Sequence, residues 1–249
     1  MMWLAADTHV GQKRKSNQDT FVSGYLSDGC YLVVCDGMGG EKGGGVASLL
    51  ASKAVSEQLA RDLQPDMNEL SVRRVLQCAS AAANAAVCEA AHDPALNGMG
   101  TTLVAAVVMG RMAHFAHAGD SRAYLLREDL LAQLTVDHTV VQMLIDRGDI
   151  SVSDAKNHPQ RHLITRAVGV SPDTRFDIFS IDVEPGDAIL LCSDGLYNFM
   201  SHEDLCALAA ISVKRQSVAP LINRANENGG GDNITAGLIC VTESEVTHG

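Results

Sequence analysis

Basic residues are scarce in this chain. Nineteen Lys and Arg stand against 30 Asp and Glu, a formal charge of −11 over 249 residues with the 9 His neutral. Gripping a nucleic-acid backbone needs clustered Lys and Arg, so this balance argues against a nucleic-acid surface. Long apolar runs are missing too: stretches such as Thr102 to Met109 fall far short of the roughly 20 residues that cross a bilayer, and membrane insertion is not expected. The opening Met1-Met2-Trp3-Leu4-Ala5-Ala6-Asp7 lacks the basic region of an export leader, so a cytoplasmic protein is expected. The cysteines, at 30, 35, 78, 88, 192, 206 and 240, are odd in number and form no CxxC pair. Most lie in apolar segments as small hydrophobes, the usage of a reducing compartment rather than of disulfides or a structural zinc. There is no Pro- or Ser-rich linker, no low-complexity tract and no solenoid repeat. A single domain over 1–249, with monomer as the default state, is the expectation.

Two catalytic signatures are also absent. The cluster from Gly37 to Gly45 contains no Gly-Lys-[Ser/Thr] and no G-x-G-x-x-G after a strand of a parallel unit, which removes a phosphate loop of that kind. Gly39, Gly40 and Gly43 to Gly45 are instead expected to turn the chain sharply from a strand into a helix. Gly119-Asp120-Ser121 sits in no G-x-S-x-G elbow, so a serine triad has no support.

What is present alternates sheet and helix in blocks. Trp3 to Val10, Tyr31 to Cys35, Thr101 to Met109, Arg111 to Ala118, Arg122 to Leu126, Arg175 to Val183, Asp187 to Cys192 and Ile234 to Val241 read as strands. Short turns, as at Gly110, make many of them antiparallel. Val46 to Leu63, Asn68 to His92, His202 to Ile211 and Arg215 to Asn226 carry apolar residues at helical spacing. Segregated helices and antiparallel strands predict an α+β layered fold. From Asp137 to Arg166 the pattern is irregular, with a helix over His138 to Arg147 and a break at His158-Pro159, and a surface flap is expected there.

Asp36, Asp120 and Asp194 each follow an apolar run, where a buried strand stops at the rim of a sheet, and Asp232 precedes another. Hard Mg²⁺ and Mn²⁺ take oxygen ligands, keep several waters and need few protein carboxylates, so such dispersed aspartates can form a cation cage. Taken singly, each has a plainer reading. Asp36, Asp194 and Asp232 suit turns, Asp120 could pair with Arg122, Arg14 could belong to a solvated Lys13-Arg14-Lys15 cluster, and Asp19 could cap a turn.

Jointly the motifs carry more. Arg14-x-x-Asn17-x-Asp19, Asp36-Gly37-Met38-Gly39-Gly40, Gly100-Thr101-Thr102, Ala118-Gly119-Asp120-Ser121-Arg122, Asp137-His138, His158-Pro159, Ser193-Asp194-Gly195-Leu196 and Gly229-Gly230-x-Asp232-Asn233-Ile234-Thr235 follow in this order over nearly the whole chain. The chain resembles the metal-dependent type 2C serine/threonine protein phosphatases, in their compact bacterial branch. That resemblance implies a four-layer α-β-β-α sandwich, two antiparallel sheets flanked by helix pairs, with Mn²⁺ or Mg²⁺ at one end, two ions and room for a third. By the same resemblance Asp36 bridges both ions, the Gly37 carbonyl binds one, Asp194 and Asp232 complete the first site, and Asp120 helps hold the third. Asp19 stands behind the ligands and Arg14 grips the substrate phosphate, for which a planar guanidinium is suited. The implied partners are phosphoserine and phosphothreonine proteins and a cognate bacterial Ser/Thr kinase; a weakly catalytic phosphoprotein-binding regulator is the competing reading.

Two departures from the family pattern stand out. Met38 takes the place of a histidine thought to protonate the leaving group in eukaryotic relatives, and it has no proton to give; a metal-bound water is the expected substitute, with His138 or His162 the weaker alternative. Gln18 replaces a glutamate that assists the second ion in animal relatives, which predicts loosely held metal.

Overall fold

Residues 30 to 35 run Cys-Tyr-Leu-Val-Val-Cys, and every side chain among them is buried. In an extended strand successive side chains point to opposite faces, so such a run requires cover on both sides. The computed structural model, which describes residues 2–155 and 157–242, shows what covers it.

The chain begins with β1 (Met2–His9), β2 (Asp19–Leu26) and β3 (Gly29–Met38), then two long helices, α1 (Gly40–Asp62) and α2 (Glu69–Ala90). Next come β4 (Gly100–Thr101), β5 (Leu103–Met109), β6 (Met112–Ala118), β7 (Arg122–Arg127) and β8 (Leu130–Gln133). The short helices α3 (Val140–Asp146) and α4 (Val152–Ala155) precede β9 (Asp177–Asp182) and β10 (Ala188–Cys192). The chain closes with α5 (Asp194–Tyr197), α6 (His202–Arg215), α7 (Ala219–Glu227) and β11 (Ile234–Val241).

One sheet has the order β1-β11-β10-β7-β8; the other has β2-β3-β5-β6-β9, with β4 paired to β3. All strand pairs are antiparallel. The alternation in β3 now has a physical account. Leu32 and Val34 join Val104, Ala106, Phe115, Ile189, Leu191 and Ile239 between the sheets, whereas Tyr31, Val33 and Cys35 face α1 and α2 through Val55, Leu59, Leu76 and Val87. On the far side Leu190, Cys192, Leu238 and Cys240 meet Leu205, Ala209, Leu221 and Ile222 of α6 and α7. The expected four-layer α+β sandwich is the observed one.

Several expected boundaries shift. β2 and β8 had not been expected as strands: the apolar pattern of β2 is interrupted by Ser23 and Gly24 and the strand is half-exposed, and β8 is a four-residue edge strand with Leu130 in solvent. The helix expected from Arg215 starts at Ala219, because Gln216 takes a left-handed φ of 50° that ends α6, and a Pro opens the first turn of α7. The glycine cluster is mostly helical rather than a turn. Gly39, with φ 113°, and Gly40, with φ 83°, turn the chain as expected, while α1 already runs through Gly43 to Gly45. A Cβ on Gly44 would lie 2.7 Å from the Gly37 carbonyl and one on Gly37 would lie 2.0 Å from the Gly44 oxygen, so these glycines let helix and strand end touch.

Between β8 and β9, Val140 N–H donates to Leu163 O at 2.9 Å and Thr165 N–H to His138 O at 2.8 Å, closing the neck of the expected flap; Lys156 within it lies outside the described residues. Cys30, Cys35, Cys192 and Cys240 are buried as expected, but Cys78 is exposed on α2 and all seven thiols are free.

Candidate metal centre

Four strand ends meet at one rim. Asp36 ends the apolar run of β3 and pairs in register with Asp19 at the start of β2. Asp194 follows β10 after Ser193, Asp232 precedes β11, and those two strands are hydrogen-bonded neighbours. Asp120 leaves β6 through Gly119, whose φ of 112° makes the bend. Thus the four candidate ligand aspartates and Asp19, scattered across the sequence, come near enough to feel one another's charge.

Their carboxylates feel one another. Burial pushes Asp194 up to about 8, helped by the negative charges of Asp120, Asp232 and Asp19. Burial likewise raises Asp36 well above the carboxylate range, with Asp19, Asp194, Asp120 and Asp232 adding to it. Asp120 rises to about 6 through burial and then the charge of Asp137. Like charges held together in low dielectric protonate or bind a cation. The donor set is all oxygen, so it fits Mg²⁺ or Mn²⁺ and not a soft metal.

Asp19 does not cap a turn. Its Oδ2 accepts from Ser193 Oγ at 2.6 Å and Thr235 Oγ1 at 2.7 Å. Its Oδ1 is buried with no partner among the described residues, and burial outweighs the two hydroxyls to bring the group to about 6. An orphaned buried carboxylate oxygen beside four more carboxylates is a further sign that positive charge belongs here.

Arg14 is exposed together with Lys13 and Lys15, yet its Nη2 lies 2.8 Å from Asp232 Oδ2, and this is the salt bridge made to the four ligand candidates among the described residues. About half of its side chain remains exposed, so the guanidinium can exchange partners. The suggested Asp120–Arg122 pair does not form. Arg122 instead clasps both oxygens of Asp137, at 2.8 and 2.6 Å, and lies 3.6 Å over the Tyr197 ring.

The backbone around Asp36 is held by hydroxyls. Asp36 N–H donates to Thr102 Oγ1 at 2.9 Å, Thr102 Oγ1 meets Ser121 Oγ at 2.7 Å, and Thr101 Oγ1 donates to the Asp36 carbonyl at 2.9 Å. Asn233 fastens the Arg14 loop to the Asp232 turn: its Nδ2 donates to Val10 O and Ser16 O, and its Oδ1 accepts from Gln18 N–H at 2.8 Å. Thr102, Ser121, Ser193, Asn233, Thr235 and Tyr197 were missed as site residues, although most sit inside the motifs. Ser121, Ser193 and Asn233 adjoin motif aspartates, which is a weak signal, whereas Thr102, Thr235 and Tyr197 carry none.

The departures resolve in part. Gln18 Nε2 donates to the Gly40 carbonyl at 2.6 Å, so its amide serves α1 rather than the carboxylates. Met38 is half-buried and pairs in register with Gly100. His138 is buried with both ring nitrogens engaged, by Gly119 N–H and by Asp177, and this removes it as a leaving-group acid. His162 is exposed on the excursion.

Comparison with known proteins shows the family. Residues 7–238 match the family model described as protein phosphatase 2C. A Listeria innocua protein named serine/threonine phosphatase stp is 37% identical, over 84% of this chain and 83% of its own. The Mycobacterium tuberculosis serine/threonine phosphatase PstP/Ppp superposes with a TM-score of 0.86 at 35% identity, covering 97% of this chain and 99% of that one. A PstP catalytic domain described in complex with two manganese ions has a TM-score of 0.85 at 34% identity, with coverage of 97% and 99%. The chain belongs to the protein phosphatase 2C family of metal-dependent phosphoprotein phosphatases.

Proposed function

We propose that this protein hydrolyses phosphoserine and phosphothreonine in other proteins at a centre of two Mn²⁺ or Mg²⁺ ions with room for a third. The supporting observation is the convergence of Asp36, Asp120, Asp194 and Asp232 at one rim, with burial and mutual repulsion raising three of them. Asp36, Asp194, Asp232 and the Gly37 carbonyl would hold the two main ions, and Asp120 would help hold the third. When bound, such ions supply a water acidic enough to attack phosphorus and positive charge for the phosphoryl oxygens.

The chain's own groups do the rest. Arg14, now on Asp232 Oδ2, is placed to transfer its planar fork to a substrate phosphate once that carboxylate is neutralised otherwise. Asp19, fixed through Oδ2 by Ser193 and Thr235, presents Oδ1 as a free acceptor to orient water. Met38 donates no proton, so the departing alkoxide takes one from solvent.

In this reading residues 1–249 act as one catalytic unit with the 137–166 excursion as a flap, in the cytoplasm, as a monomer, opposing a bacterial Ser/Thr kinase. The competing regulator reading is disfavoured by an acidic centre in which every candidate ligand is aspartate. Mn²⁺-dependent release of phosphate from a phosphothreonine peptide, lost in Asp36→Asn with the fold intact, is the expected result. Peptide binding without turnover at any Mn²⁺ or Mg²⁺ concentration would favour the regulator.

A further inference from the structure

The bend that carries Asp120 is held from outside its own segment. Gly119 is the residue type with most backbone freedom, and a Cβ at its φ of 112° would lie 2.7 Å from Thr102. Its peptide groups are taken up by His138: Gly119 N–H donates to His138 Nδ1 at 3.1 Å, and His138 N–H donates to Gly119 O at 2.8 Å. On the other side Tyr197 Oη donates to the Asp120 carbonyl at 2.9 Å, and the Tyr197 ring is covered by Arg122, itself clasped by Asp137. His138 at the neck of the excursion therefore holds the peptide before Asp120 directly, and Asp137 reaches the peptide after it only through Arg122 and Tyr197.

The ring of His138 is fixed in turn. Its Nε2 lies 2.9 Å from Asp177 Oδ2, and Asp177 Oδ1 receives Arg166 Nη1 at 2.6 Å. Behind it His117, fully buried, stacks at 4.7 Å between ring centroids. The donor atoms of His117, His138 and Asp177 lie within 4.8 Å of one another, a spacing that could suit a metal. The hydrogen bonding decides against one. With Nδ1 accepting from Gly119, the proton sits on Nε2 and points at Asp177, so the ring has no lone pair to offer there.

We propose that His138 is a positioning residue for Asp120. Asp177 selects the Nε2–H tautomer, that tautomer accepts the Gly119 N–H, and the bend so fixed aims the Asp120 carboxylate into the metal centre. The inference rests on the reading of Asp120 as a ligand of the weakest ion.

The test separates the two nitrogens. Asn at 138 places an oxygen near the Nδ1 position and keeps the Gly119 bond; Gln reaches the Nε2 position and keeps only the Asp177 contact. Mn²⁺ bound per protein is counted by electron paramagnetic resonance across a Mn²⁺ titration, with thermal unfolding to check the fold. Phosphopeptide kcat and KM are measured alongside. Groups that orient metal ligands are worth about 10–100-fold in affinity, so His138→Gln should weaken the weakest class of Mn²⁺ site by about tenfold. The tighter class and KM should move less than about twofold, and His138→Asn should stay near wild type on every readout. Asp177→Ala frees the tautomer and should weaken the same class, whereas Asp177→Asn, which still accepts from Nε2–H, should not. This half-exposed pair decides the matter should His138→Gln not fold. Asp120→Asn is the control: if it leaves the weakest class unchanged, the ligand reading of Asp120 fails. If Asp120→Asn abolishes that class while His138→Gln spares it, or His138→Asn is as damaging as His138→Gln, the positioning role is overturned. Tight Zn²⁺ binding lost in His117→Ala would also overturn it, by showing that the cluster is a metal site.

Discussion

Asp194, pushed up to about 8 by burial and by its neighbours, links protonation to stability in the metal-free protein. Its unfolded-state value is the ordinary 3.8, so between those values the folded state binds the extra proton. Stability from such a group is complete at low pH and is lost as pH rises through the folded value. His117 and His138, both lowered, act in the opposite sense, but only below about 6.5, where unfolded histidine gains its proton. The window from about pH 7 to 8 therefore lies above the histidines and below the buried thiols, whose unfolded value is 9.0, and isolates the carboxylates. In EDTA the melting temperature should fall across it. Mn²⁺ or Asp194→Asn should flatten the slope, and a melting temperature that rises with pH in EDTA would contradict the account. Arg14 offers a second check at this scale. Arg14→Ala should raise KM for a phosphopeptide by about 10–100-fold, the worth of hydrogen bonds to a charged group. Because the side chain is half-exposed, the melting temperature should barely change, and an unchanged KM would remove its substrate role.

Elements are held in place by close approach and by small hydroxyls. The start of α1 touches the end of β3 through Gly44 and Gly37. Gly44→Ala should therefore cost about 1–3 kcal/mol through overpacking and lower kcat by displacing Gly37; a variant as stable and active as wild type would show that this contact is dispensable. Thr235→Val removes one of the two hydroxyls on Asp19 Oδ2 and leaves Ser193 alone on it, and losing one hydrogen bond to a charged group costs about 1.5–3 kcal/mol, readable in urea unfolding. At this scale legibility followed burial. β3, β5, β6, β10 and β11 are covered on both faces and read as continuous apolar runs, so they could be found. β2 and β8 lie at sheet edges, where half-exposed side chains blur the alternation. The aspartates were legible because each abuts a motif glycine or a strand end. The hydroxyls and Tyr197 were not, since a Ser, Thr or Tyr takes meaning only from what folding brings beside it. The His138 pairing was likewise invisible, as Gly119 and Asp177 are remote in sequence.

Across the whole molecule, three apolar layers bind helices to sheets and sheet to sheet with no contribution from the acidic rim. Removing metal should therefore abolish phosphatase activity while leaving far-ultraviolet circular dichroism unchanged, and Mn²⁺ should restore the activity. Gln18, turned toward Gly40, adds no negative charge, and dialysis alone should suffice to strip the ions. Collapse of the dichroism signal on chelation would show that the ions hold the fold together. The central claim is that Asp36, Asp194 and Asp232 gather around paired cations, and anomalous diffraction at the manganese edge from crystals grown in Mn²⁺ tests it most directly. The account predicts two strong peaks sharing Asp36 as a common ligand, with Asp194 and Asp232 on one of them and a weaker third peak at Asp120. Density without peaks at saturating Mn²⁺, or peaks ligated by none of these aspartates, would contradict it.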